Sequence, residues 1–201
     1  MIRVKICGIT RAQDVRAAVR HGASAVGFVF AKSPRRVSVA QARRLRSHLA
    51  PWVSAVGVFV NESPERIVRI ARRVPLDAVQ LHGDEPEKVV RILKKEGLCV
   101  IRAHRVGGSS ADVRRTAADA VLLDSSVRGA YGGTGRSFDW KILRGWRSST
   151  PLIVSGGLDP KNVRKLLRIV RPFGLDVSSG VEASPGIKSE RLIKEFMTRA
   201  H

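Results

Sequence analysis

The sequence predicts an α/β fold, a single-domain (β/α)8 TIM barrel with eight parallel strands ringed by helices, over residues 1–201. Three observations carry that prediction. A unit of short apolar run, turn and amphipathic stretch recurs about every 25 residues, as internal structural repeats do. The count of such units reaches eight, which favours closure into a barrel over an open sheet with two edges. The length of 201 residues lies at the lower end of what this barrel needs, about 200 to 250 residues. No linker, low-complexity run or shift in composition marks a boundary, so one domain is expected.

The first strand is expected at Ile2–Ile6, ending beside Cys7 and Gly8, where Gly8 allows a tight turn before Thr10 caps a helix from about Arg11 to Arg20. The following strands are expected at Ala25–Phe30, Val53–Val60, Ala78–Leu81, Cys99–Ala103, Ala120–Asp124, Leu152–Ser155 and Leu175–Ser178. They are rich in Val and Ile and almost continuously apolar, the pattern of strands buried on both faces. Between them the apolar residues fall three and four apart. Ile67, Val68, Ile70, Ala71 and Val74 form one face of such a helix, with Arg66, Arg69, Arg72 and Arg73 on the others.

Composition narrows the function classes. No stretch approaches the ~18 continuous apolar residues of a membrane span, and no apolar signal core stands at the N-terminus, so a cytoplasmic protein without a membrane partner is expected. Cys7 and Cys99 should lie toward opposite mouths of the barrel, which argues against a disulfide, and their spacing fits no metal site. The net charge of +20, from 37 basic and 17 acidic side chains, suggests nucleic acid. The arginines are spread over nearly every predicted helix, however, with no recognised nucleic-acid motif, so a solvated basic surface that draws in an anionic substrate is the expected reading, with no nucleic-acid partner.

In this fold, binding and catalytic groups come from the carboxyl ends of strands and the loops after them. That rule selects Lys32-Ser33-Pro34-Arg35-Arg36, His82-Gly83-Asp84, Asp124-Ser125-Ser126, Ser155-Gly156-Gly157-Leu158 and Ser178-Ser179-Gly180-Val181-Glu182. The last two clusters follow the seventh and eighth strands, where such barrels frequently bind phosphate. Glycines there expose N–H groups and admit a tetrahedral anion, so Ser155, Gly156, Gly157, Ser178, Ser179 and Gly180 are candidate phosphate ligands; two tight turns are the plainer alternative. Gly133 and Gly135, in Gly132-Gly133-Thr134-Gly135, are a further candidate, as a lid over the ligand or as a simple connection. Asp124 ends the apolar run Val121-Leu122-Leu123, surroundings that raise a carboxyl pKa and suit a general acid; otherwise it caps a turn. Cys7 is either a core cysteine or, in an electropositive cavity with Lys5 and arginines, a thiolate able to act as base or nucleophile.

Together these residues resemble the phosphoribosylanthranilate isomerase family of tryptophan biosynthesis. The matching segments are Lys5–Thr10, Gly27–Phe30, Ser33–Arg35, Gly57–Asn61, Val79–Gly83, Leu122–Asp124, Gly132–Gly135 with Phe138–Trp140, Ser155–Leu158 and Asp176–Glu182, in order along the chain. The resemblance implies a cofactor-free, metal-free Amadori rearrangement of a small-molecule phosphosugar, an aldose–ketose isomerisation catalysed by an intramolecular oxidoreductase. It implies that Asp124 protonates the furanose oxygen, that Cys7 removes the C2 proton, and that Arg35 faces the anthranilate carboxylate. Arg36 is the alternative in a loop one residue shorter than the family pattern. His82 matches a family motif but is left outside the catalytic pair. Another phosphosugar isomerase or lyase on the same barrel is the alternative. A monomer or a homodimer is expected, with Pro51 and Trp52 lining a dimer contact or packing under a turn.

Overall fold

A computed structural model of the chain describes residues 2–106, 116–125 and 139–201. Eight parallel strands close a barrel in chain order, β1 pairing with both β2 and β8. They are β1 (Arg3–Cys7), β2 (Ala25–Val29), β3 (Ser54–Phe59), β4 (Ala78–Leu81), β5 (Val100–Arg105), β6 (Ala120–Asp124), β7 (Leu152–Val154) and β8 (Gly174–Val177). Six helices surround them among the described residues: α1 (Ala12–Arg20), α2 (Val39–Arg46), α3 (Pro64–Arg73), α4 (Glu87–Lys95), α5 (Val163–Ile169) and α6 (Glu190–Ala200). Between β6 and β7 the described residues contain only a 3₁₀ turn, Trp140–Leu143. A short hairpin, β9 (Glu182–Ser184) with β10 (Ile187–Lys188), follows β8. No helix among the described residues is long and apolar enough to cross a membrane.

β4 and β6 match their expected bounds, and the other six strands differ by one or two residues at their ends. Apolar character stops where burial stops, whereas pairing continues as long as a neighbour offers its backbone; β5 therefore runs on to Arg105 beside Asp124. The cap assigned to Thr10 is corrected. Helix α1 starts after Arg11, with no side-chain cap, and the Thr10 hydroxyl donates instead to the Gly186 carbonyl, 2.5 Å away in the turn of the hairpin. Arg11 binds the buried Asp14 and the Lys188 carbonyl, so the hairpin is tied to the start of α1.

Alternation along the strands divides the apolar residues into two cores. Val4 and Ile6, Val26 and Phe28, Leu175 and Val177 face outward and pack under the helices. In helix α3 and at its C-cap, Ile67, Ile70, Ala71 and Val74 are buried while Arg66, Arg69, Arg72 and Arg73 are exposed. The inward set forms a separate, smaller core of Val56, Ala78, Ile101, Ala120, Leu122 and Ile153. That core plugs the barrel's interior. Toward the carboxyl ends the inward positions turn polar, with Lys5, Gln80, Asp124 and Asp176 buried there.

Cys7 ends β1 and Cys99 precedes β5, so the two free thiols lie at opposite mouths. Trp52 is 95% exposed in the connection between α2 and β3, so it does not pack under that turn.

Candidate active site

The carboxyl-terminal mouth encloses a cavity of about 680 Å³, within the usual range for a small-molecule site. Cys7, Arg35, Arg36, Asp124, Ser155, Gly156, Gly157, Ser178 and Ser179 line it, joined by Gln80, His82 and Asp176. Most of the candidates chosen from the sequence therefore meet in one place. Gly180, in the loop after β8, is not among the lining residues and packs against the Leu158 carbonyl. Gly133 and Gly135, with Ser126 and Phe138, lie outside the described residues.

Cys7 and Asp124 reach the cavity from β1 and β6. Counting round the barrel through β8 and β7, these strands are three steps apart, nearly opposite each other. Asp124 is buried, 4% exposed, and its Oδ2 lies 3.0 Å from His82 Nε2. His82 Nδ1 is 2.7 Å from the Gln80 amide nitrogen. If Gln80 donates there, His82 keeps its proton on Nε2 and donates it to Asp124. His82, set aside in the sequence reading, thus directly orients the Asp124 carboxyl.

The cations near Cys7 favour its thiolate as expected, but burial works against them. Burial pushes the thiol above its ordinary pKa. Lys5 pulls it down, Asp176 pushes it up and Lys188 pulls it down, and these contributions leave it raised. The cations are present but their charge is spoken for. Lys5 Nζ donates to Asp176 Oδ1 at 2.8 Å, and Lys188 Nζ donates to Glu182 Oε1 at 2.8 Å.

Arg35 is also partnered. Its Nε and one terminal nitrogen donate to the two oxygens of Glu182 at 2.8 and 2.7 Å, a two-bond fork. Glu182 is held below the usual carboxylate range: burial opposes this, but hydrogen bonds and charge from Arg35 and Lys188 outweigh it. The guanidinium is thereby fixed with its other edge free of Glu182. Arg36 is exposed at the same rim.

The loops after β6, β7 and β8 meet through glycines. Gly156 has a left-handed φ of 88°, and a side chain on it would fall 2.1 Å from Ser125 Oγ. A Cβ on Gly180 would lie 1.9 Å from the Leu158 carbonyl oxygen. Among the described residues no acceptor takes the N–H groups of Gly156, Gly157, Ser179 or Gly180. Ser179 and Gly180 open a 3₁₀ turn, Ser179–Val181, whose first N–H groups have no partner within the turn. Four amide donors thus stand available at one side of the mouth.

Gln80, Asp176 and Glu182 were quoted in the sequence without a role, and Lys188 was not singled out. Gln80 and Asp176 each interrupt an apolar run, the signal that singled out Asp124, whereas Glu182 and Lys188 carry no such local signal.

The chain matches the family described as N-(5'phosphoribosyl)anthranilate (PRA) isomerase over residues 4–199. The N-(5'-phosphoribosyl)anthranilate isomerase of Rubrobacter xylanophilus is 47% identical over 204 residues, covering 100% of this chain and 99% of its own. A solved phosphoribosyl anthranilate isomerase, in complex with reduced 1-(o-carboxyphenylamino)-1-deoxyribulose 5-phosphate, superposes with a TM-score of 0.85 at 44% identity, covering 100% of this chain and 98% of its own. A structure described as mutually generated monomers of the dimeric Thermotoga maritima isomerase gives 0.85 at 43% identity, with the same coverage. With the sequence matched from end to end and the barrel shared, this chain belongs to the N-(5'-phosphoribosyl)anthranilate isomerase family.

Proposed function

We propose that this chain converts N-(5-phosphoribosyl)anthranilate into 1-(2-carboxyphenylamino)-1-deoxyribulose 5-phosphate in tryptophan biosynthesis, with Asp124 as general acid and Cys7 as general base. The observation that carries the reading is the placing of a carboxyl and a thiol on nearly opposite strands of one cavity, with four amide donors at its rim.

Asp124 gives a proton to the furanose oxygen; the C1–O bond breaks and leaves a Schiff base. Cys7, as thiolate, takes the C2 proton, and the electrons move to give an enolamine. The Cys7 thiol then gives its proton to C1 and the C2 hydroxyl proton passes to Asp124, which yields the ketone and restores the thiolate and the carboxylic acid. An acid and a base of this kind contribute about 10²- to 10⁴-fold each. Positioning supplies the rest. The amides of Gly156, Gly157, Ser179 and Gly180, in the loops that Ser155 and Ser178 begin, hold the phosphate, and the free edge of Arg35 meets the anthranilate carboxylate. Gly133 and Gly135 belong to the same substrate site by the family pattern. Phe30, stacked on Phe59 with ring centroids 5.1 Å apart, offers an apolar wall for the aromatic ring.

Anthranilate-type fluorescence is lost as the substrate isomerises. Substrate generated in situ and consumed at an enzymic rate by the wild-type protein supports the reading, and its persistence overturns it. The free thiol at Cys7 suits a reducing, cytoplasmic setting. A homodimer contact lined by Trp52, which is 95% exposed, is distinguished from a monomer by sedimentation.

A further inference from the structure

The acid–base scheme leaves unused a buried ion pair beside the thiol. Lys5 and Asp176 are register partners on β1 and β8, 6% and 4% exposed, and joined at 2.8 Å. Apolar residues of similar volume often replace such a pair without loss of stability, so stability alone is a weak reason for it. Its position is more telling. Lys5 and Cys7, two residues apart, face the same side of β1. Across from Cys7 stands Gly27, where a Cβ would lie 2.7 Å from Cys7 Sγ and 3.1 Å from Lys5 Cε. The missing side chain leaves the slot in which the ammonium stem and the thiol meet.

We propose that Lys5 and Asp176 are positioning residues that set the ionisation of Cys7 in opposite senses. Lys5 holds the thiolate by charge. Asp176 draws on the same ammonium and repels the thiolate, and it also accepts from Ser155 Oγ at 3.3 Å, linking the thiol to the loop after β7. Among the described residues, Lys188 and Arg35 also act on Cys7, both bound to Glu182. Burial raises the thiol pKa, Lys5 lowers it and Asp176 raises it, which agrees with this division of roles. The inference deepens the reading of Cys7 as the base and rests on it.

The pH dependence of Cys7 alkylation by iodoacetamide tests it, in a Cys99→Ser background so that one thiol reports. Lys5→Met should move the alkylation midpoint up and Asp176→Asn should move it down, each by about one pH unit, or about tenfold in thiolate fraction at a fixed pH below the midpoint. Shifts in the same direction, or none, overturn the proposal. If Lys5→Met does not fold, Asp176→Asn decides alone, because it keeps Lys5 and must still lower the midpoint. The pH profile of kcat/KM separates the two claims. If the alkylation midpoints move as stated and the acid limb of kcat/KM does not follow, the pair stands and Cys7 as the base fails.

Discussion

Replacing Gly180 by alanine places a methyl carbon 1.9 Å from the Leu158 carbonyl oxygen, 2.8 Å from its carbon and 3.0 Å from the Asp159 Cα. These are backbone atoms, so no rotamer change relieves the clash. Reaching even a 3.0 Å contact requires the loops after β7 and β8 to separate by about 1.1 Å. The Gly180 φ is not left-handed, so the backbone itself accepts alanine and the effect is steric. Overpacking of this kind costs about 1–3 kcal/mol of stability. The same displacement moves the amides of Ser179 and Gly180 away from those of Gly156 and Gly157, and misplacement of about 1 Å can cost about 10²-fold in rate. The expected result is a lower urea midpoint, a raised KM, weaker inhibition by inorganic phosphate, and kcat/KM down by about 10- to 10²-fold. Gly174→Ala is the control. Its Cβ would meet nothing closer than 3.4 Å, and it should be nearly neutral. Gly180→Ala with wild-type stability, KM and phosphate inhibition would refute the account of how these loops meet.

Glu182→Gln removes the shared partner of Arg35 and Lys188 and should destabilise the protein at pH 7 by about 3 kcal/mol in urea denaturation. Because the folded protein holds Glu182 below its ordinary pKa, this contribution is complete at neutral pH and disappears as pH falls through that lowered value, so wild type and variant should converge in acid. Arg35→Gln should raise KM for the carboxylate-bearing substrate by about tenfold or more, and Arg36→Gln by less, since only Arg35 is oriented by a two-bond partner; the reverse order assigns the contact to Arg36. His82→Ala removes the neighbour that orients Asp124 and should lower kcat by about tenfold with little change in KM.

The strands were legible because a barrel strand is buried on both faces and therefore apolar almost throughout. Glycine and hydroxyl clusters at their carboxyl ends located the mouth. What failed was long-range. Thr10 looked like a helix cap, yet its hydroxyl prefers a carbonyl at Gly186 that no local pattern connects to it. Arg35 looked like a free fork for a carboxylate, and Glu182, 147 residues away, occupies one edge of it. The charge of Cys7's surroundings was legible but the cost of burying the thiol was not, because only the closed barrel shows how little water reaches it. Gly133 and Gly135 fall outside the described residues, so their place rests on the resemblance alone.

The most direct measurement is the loss of substrate fluorescence with wild-type protein, Cys7→Ser and Asp124→Asn, together with urea midpoints and inhibition by inorganic phosphate for all three. The account predicts rapid conversion by the wild type, a fall of about 10²-fold or more in kcat for each variant, and unchanged folding and phosphate binding. Near wild-type turnover in either variant would contradict the assignment of acid and base to opposite sides of this cavity.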